Sequence, residues 1–442
     1  MSTAAVVAAR ARPASGLGLA LFANALKIPH AMSAFPCLAF LLALTAMLFR
    51  PPDLKSFPWD RITFLLLVCV VSIRFCIRRE RPRTYHATWP MLALLLLGLW
   101  NVLAQPYEAQ AWSLLAAKWI VPFALFHIAG LVFCNASSLR KLEVFCLFVL
   151  IYLTAISVLF LVDAHSLIFP KFILDGGIGI HADRARGPFL QAVANGVCLN
   201  ILGLIALDSF GRRRLRGFLA ALLLLTAPVA ILATKTRSVW LSFALSVACL
   251  AVAGSGRRLR RAALGLCAIA VIGWLGILLH RVNSSTLTER LEDQSPVDFR
   301  LEMYQAGWQM FIEKPLIGWG TEAAMQGELA RRISDFHPDY YVFHNTYLEL
   351  AAQRGLIGLG LYAWLMICLF RLSKALTKTS EASAQFMDSG FRKLWPVLLG
   401  VYLLNASVVV MNYQFVNGLM FSFAGILATQ KYGSSMTYQQ TV

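Results

Sequence analysis

Ala220–Thr234 reads AALLLLTAPVAILAT, and these residues decide the fold. The run holds no charge, and its apolar side chains point all round a helix, leaving no face to give to water. Ser238–Gly254 and Leu356–Phe370 repeat the pattern. Each is apolar for most of the length a bilayer demands. The whole chain agrees: of 442 residues, 58% are hydrophobic and only 14% charged. Soluble chains carry roughly 25% charged residues.

Working outward, apolar runs near 31–49, 60–76, 88–104, 112–133, 141–163, 190–209, 216–233, 238–254, 262–279, 355–371, 394–411 and 413–430 read as spans. They predict an all-α polytopic membrane protein of about twelve transmembrane helices. The stretch 16–28 is too short to span and is expected to lead into the first helix along the interface. Three parts follow: an N-terminal membrane bundle over 1–279, a large loop over 280–343, and a C-terminal membrane bundle over 344–442. Within the loop, Phe299–Ile312 reads as an amphipathic helix with Leu301, Tyr304, Trp308 and Phe311 on its apolar face. Pro315 and Gly318-Trp319-Gly320 end it. The loop is too short for a sizeable core of its own and is expected to cap the membrane surface.

The net charge of +18 invites a nucleic-acid partner. The cations, however, fall in blocks between spans: Arg78, Arg79, Arg81 and Arg83; Arg212, Arg213, Arg214 and Arg216; Arg257, Arg258, Arg260 and Arg261; and Lys374, Lys378, Arg392 and Lys393. That is the signature of cytoplasmic loops, not of a basic surface interleaved with aromatics. The blocks place both termini in the cytoplasm. Ala164–Phe189 and His280–Phe343, the two longest polar stretches, then face the other side. The short turn Thr234–Ser238 lands there too, although it carries Lys235 and Arg237. The nine cysteines lie in or beside apolar runs and read as small buried hydrophobes, with no disulfide and no zinc.

Three polar clusters stand out on that outer side. The first is His344-Asn345-Thr346-Tyr347-Leu348-Glu349, followed by Arg354-Gly355. It reads as a helix start at the membrane surface, where free N–H groups favour an anion and a titratable imidazole suits a general base. A capping histidine with a Glu349–Arg354 pair is the structural alternative. The second is His181-Ala182-Asp183-Arg184-Ala185-Arg186-Gly187-Pro188-Phe189. Alternate arginines on an extended strand point to one side, as a phosphate clamp needs. Taken alone, contact with lipid headgroups explains them better. The third is Arg237 with Lys235. Lys118 is a fourth candidate site, about two turns inside a span, where a partner or cavity is the usual companion of a cation. No DxD-type carboxylate pair stands outside the membrane to hold a divalent metal.

With these residues in place, the chain resembles the O-antigen ligase and polymerase family of bacterial inner-membrane glycosyltransferases. The resemblance rests on HNTYLE…RGLIGL, on Arg-x-Arg-Gly-Pro-Phe and on the Thr-x-Thr-Arg-Ser turn. Arg300, Trp308, Pro315, Gly318 and Gly320 match the family's pattern in its large periplasmic loop. The resemblance implies a glycosyltransferase-C-like fold in the inner (cytoplasmic) membrane with a periplasmic active site. It implies transfer of a glycan from undecaprenyl diphosphate to a sugar hydroxyl of lipid A–core, inverting, with no cofactor or metal. His344 would be the base, and Arg186 and Arg237 would hold the diphosphate. Arg184, Lys118, Asn345, Tyr347, Glu349, Arg300 and Arg354 complete the candidate substrate-binding set. Membrane lipids are the remaining partner. An O-antigen polymerase or a protein O-oligosaccharyltransferase of the same family is the near alternative, and a secondary transporter or flippase the distant one.

Overall fold

The computed structural model describes residues 35–51, 57–78, 83–179, 181–254, 256–268, 295–333, 343–374, 386–388 and 390–439. Every regular element among them is helical. In chain order these are α1 (Phe35–Leu48), α2 (Trp59–Arg78), α3 (Thr88–Leu103), α4 (Ala109–Val132) and α5 (Ala136–Leu161). Next come α6 (Ala192–Gly211), α7 (Gly217–Ala233), α8 (Arg237–Ala253) and α9 (257–268). The large loop supplies α10 (Ser295–Glu313) and α11 (Glu322–Ala330), and α12 (Thr346–Phe370), α13 (Phe391–Ala406) and α14 (Gln414–Gln439) follow.

A helix stands at each place where the apolar pattern puts a span, with 262–279 described only as far as residue 268. Among the described residues, four helices, α4, α5, α6 and α12, are long and apolar enough to cross a membrane. That is fewer than the pattern suggests. The helices α1, α3, α7 and α8 are apolar but shorter, and α2 carries Asp60, Arg61 and Arg74 within its length. The stretch 16–28 lies outside the described residues.

α6 is the central helix, buried along nearly its whole length. α4 and α14 run closest together. A Cβ on Gly425 would strike the Phe126 carbonyl, and one on Gly130 would strike the Thr429 side chain. Small residues that let backbones touch are the usual means of joining helices in lipid.

A buried ion network closes the end of the bundle formed by the α6–α7 turn. Glu143 of α5 accepts from Ser209 at 2.6 Å, Arg214 at 2.7 Å and Arg140 at 2.6 Å. Arg212 joins Asp208 at 2.9 Å to Asp388 at 2.5 Å, beside the start of α13. Part of the arginine block read as loop charge therefore neutralises buried carboxylates.

At the other end, α10, α11 and the start of α12 share a small core of Met303, Ala306, Met310, Met325, Leu329, Ile333 and Phe343. This corrects the expected apolar face of α10. Met303, Ala306 and Met310 face the core and Tyr304 packs against it as expected, while Leu301 and Trp308 are exposed.

Candidate active site

α12 starts where the large loop returns to the bundle. Asn345 caps it, its Oδ1 accepting the N–H groups of Tyr347 at 2.9 Å and Leu348 at 3.1 Å. Those N–H groups are thus engaged by the cap rather than open to an anion. Thr346 Oγ1 donates to the Val409 carbonyl at 2.8 Å and accepts from Met411 N at 3.0 Å, fixing the helix start to the α13–α14 link. Just ahead, His344 sits at φ +47°, a left-handed conformation unusual for a residue with a Cβ. It is held there from both sides, by the Asn345 cap and by Phe343, which is buried in the small core. Gly307 of α10 gives Phe343 its room, since a Cβ there would lie 2.5 Å from the ring. Burial first, then Arg300 and His181, push the His344 imidazole down to about 4. It is therefore neutral at physiological pH, as a proton acceptor must be.

Behind this start, α12 carries three anchors. Tyr347 donates its hydroxyl to the Leu403 carbonyl at 2.7 Å. Arg354 donates to the Leu94 carbonyl at 3.1 Å, and its guanidinium lies 4.8 Å from the centre of the Trp119 ring. Glu349 accepts from Lys118 at 2.6 Å, in place of the Glu349–Arg354 pair the spacing offers. Lys118 lies in a π-helical turn, Ala116–Ile120, inside α4. Such turns widen a helix by one residue and cluster at functional sites. Glu322 of α11 stands 3.8 Å from the same ammonium, so one lysine links bundle, motif helix and large loop. Burial pushes the Glu322 carboxyl up, with Lys118 opposing and Glu349 adding to the rise. The two cavities beside Lys118 measure about 30 Å³ each, too small for a sugar. Among the described residues, Lys118 and Glu349 thus tie the bundle to the motif helix and the large loop.

The loop joins α12 by backbone as well. At Gly355 (φ +62°) the helix breaks, and Leu356 N donates to the Pro315 carbonyl at 2.7 Å while Ile357 N donates to Leu316 at 3.2 Å. In return Trp319 N and Gly320 N donate at 2.9 Å to the carbonyls of Ala352 and Gln353. The strap 315–320 thereby satisfies the polar groups that the break frees, a condition for irregular backbone in lipid. A Cβ on Gly355 would collide with the Leu316 backbone, and one on Gly318 with the Gln353 backbone. Gly355→Ala is therefore expected to cost about 3 kcal/mol through left-handed strain and overpacking. Thermal unfolding in detergent checks it; a variant as stable as wild type would contradict the strap. Gly360, by contrast, faces open space.

The two remaining clusters meet each other. Ala185 N donates to the Ala233 carbonyl and Lys235 Nζ to the Asp183 carbonyl, both at 3.2 Å, bringing the 181–186 segment onto the α7–α8 turn. A cleft of about 570 Å³ opens beside it, lined in part by Asp163, His165, Asp183 and Lys235. Arg237 is exposed at the first turn of α8. The segment is compact, not extended: Arg186 N donates back to Arg184 O at 2.8 Å. The two arginines consequently do different things. Arg184 is partly exposed, 3.8 Å from Asp183. Arg186 is 1% exposed and donates to three carbonyls, of Ile173 at 2.9 Å, Ile178 at 2.6 Å and Asp175. It organises the 173–178 loop, which corrects its expected place as half of a fork open to phosphate. His181, also left-handed at φ +55°, is pushed down by burial, Arg184 and Arg300. Arg300, exposed on α10, thus acts on both histidines.

Residues 219–363 match the family model described as O-antigen ligase. Over those residues the chain is similar to the O-antigen ligase family. No curated protein matches the chain. Members of this family are glycosyltransferase-like enzymes, ligases and polymerases, and with the apolar helices the match describes a multi-pass bacterial membrane protein. The matched residues include Arg237, Arg300, Glu322, His344, Asn345, Tyr347, Glu349 and Arg354. Lys118, Arg184 and Arg186 lie before it and meet it only through the fold. Sequence reasoning missed Glu322 altogether and quoted His181 without a role. Glu322 falls two residues after Gly320 at the head of a short helix, and no spacing links it to Lys118.

Proposed function

We propose that this protein transfers a glycan from undecaprenyl diphosphate to a sugar hydroxyl of lipid A–core, at the periplasmic face of the inner membrane. The observation that carries the reading is the neutral, left-handed His344 at the loop–helix junction, within electrostatic reach of Arg300 and His181. In this reading His344 takes the proton from the acceptor hydroxyl as that oxygen attacks the anomeric carbon. The bond to the diphosphate breaks on the opposite side, inverting the configuration, and the leaving group keeps the electron pair. Arg237, Arg184 and Arg300 neutralise the diphosphate, and Arg186 acts by holding the 173–178 loop against the segment that carries Arg184. Diphosphate is already a good leaving group, so a base, positioning and charge stabilisation suffice.

The test is reconstitution with a lipid-linked glycan, offering either lipid A–core or a second donor molecule as acceptor. Glycosylated lipid A–core is the expected product. Chain growth on the second donor instead would make the protein a polymerase, and glycan crossing the membrane with no new glycosidic bond would make it a transporter. Transfer is expected to persist in EDTA; loss that added divalent metal restores would overturn the metal-free reading.

A further inference from the structure

α10 has three faces. At about 100° per residue, Glu302, Gln309 and Glu313 share a polar sector, and Met303, Ala306 and Met310 share the sector turned to the small core. Leu301, Trp308 and Ile312 fall within about 40° of one another and are each more than half exposed. Leu316 and Ile317 of the strap are more than half exposed as well. The strap's backbone bonds then carry this apolar stripe onto Leu356 and Ile357 of α12. Both are exposed on a helix long and apolar enough to cross a membrane, and its outward surface continues through Trp364, Ile367 and Phe370.

A patch this contiguous is not left to water. Its continuity with the outside of α12 selects the occupant. We propose that α10 and the strap are seated in the membrane surface, with Leu301, Trp308, Ile312, Leu316 and Ile317 in contact with lipid. A tryptophan at the headgroup boundary and an apolar face opposite a polar one fit an interfacial helix. The seating places Arg300, next to Leu301, at the depth of lipid phosphates, and His344 beside it. The proposal stands apart from the transfer reaction.

Nitroxide labels on single-cysteine variants, in a background whose native cysteines are replaced, test it in vesicles of phosphatidylethanolamine and phosphatidylglycerol. Labels at Leu301→Cys, Trp308→Cys, Ile312→Cys and Leu316→Cys are expected to collide more with oxygen than with a water-soluble nickel chelate. Labels at Glu302→Cys, Gln309→Cys and Glu313→Cys are expected to show the reverse. Nickel-dominated collisions at 308 and 312 would overturn the proposal. So would protection from both reagents with spin–spin broadening, the mark of a second copy on the stripe. A label-free measurement guards against misfolded variants: brominated lipid should quench wild-type fluorescence more than that of Trp308→Phe, and equal quenching counts against lipid contact.

Discussion

His344→Ala is expected to lower glycan transfer by about 10²–10⁴-fold, the usual contribution of a positioned general base, while the protein still inserts and folds. The side chain lies before α12 and takes no part in the Asn345 cap, so its removal leaves the helix start intact. The pH dependence gives a sharper check. Burial, Arg300 and His181 hold the imidazole at about 4, so it stays neutral well below the usual histidine range. Transfer is therefore expected to hold as pH falls through 6.5 and to decline only near 4. Arg300→Gln removes one of the groups that disfavour the imidazolium and is expected to move this acid limb upward. The stability sign follows from linkage. With its folded value below its unfolded one, His344 favours the fold more as pH rises from about 4 to 6.5. Wild-type transfer by His344→Ala in reconstituted vesicles, or an acid limb unmoved by Arg300→Gln, would remove the base assignment.

Much of this was legible in the sequence. The apolar runs give the helices because a bilayer segment must satisfy its own backbone, which leaves few alternatives. The return of the loop at His344-Asn345 was legible too, since a helix start has a residue-level signature. What the sequence hid was partnership. Lys118 and Glu349 are 231 positions apart, and no local rule pairs them. Alternate arginines suggested one common direction for Arg184 and Arg186, which holds only on an extended backbone. The actual turn sends Arg186 inward to three carbonyls. The face of α10 was misread because its apolar residues occupy two sectors, and spacing alone does not say which meets protein and which meets lipid.

Lys118→Met is expected to cost about 3–5 kcal/mol of stability, the penalty for stranding one member of a buried ion pair. Glu349 is the member stranded: its side chain is 7% exposed and its partner at 2.6 Å would be gone. Glu322 deepens the loss, because two carboxylates would then face each other with no cation between them. The double replacement Lys118→Met with Glu349→Gln is expected to recover part of the difference, since the stranded Glu349 charge is removed and Glu322, 20% exposed, is the carboxylate still lacking the ammonium. Glu322→Gln alone is expected to cost less, its side chain being 20% exposed and 3.8 Å from the ammonium. Chemical unfolding in detergent, run on Lys118→Met, Glu349→Gln and their double replacement, isolates the coupling. Additive effects would mean that the pair does not act as one unit. Because Glu349 sits in the first turn of α12, directly after the Asn345 cap, the same variants are expected to loosen the helix start that presents His344. Transfer by Lys118→Met is accordingly expected to fall with stability and to return in part in the double replacement, whereas a phosphate-binding lysine would leave the double replacement as impaired as the single one.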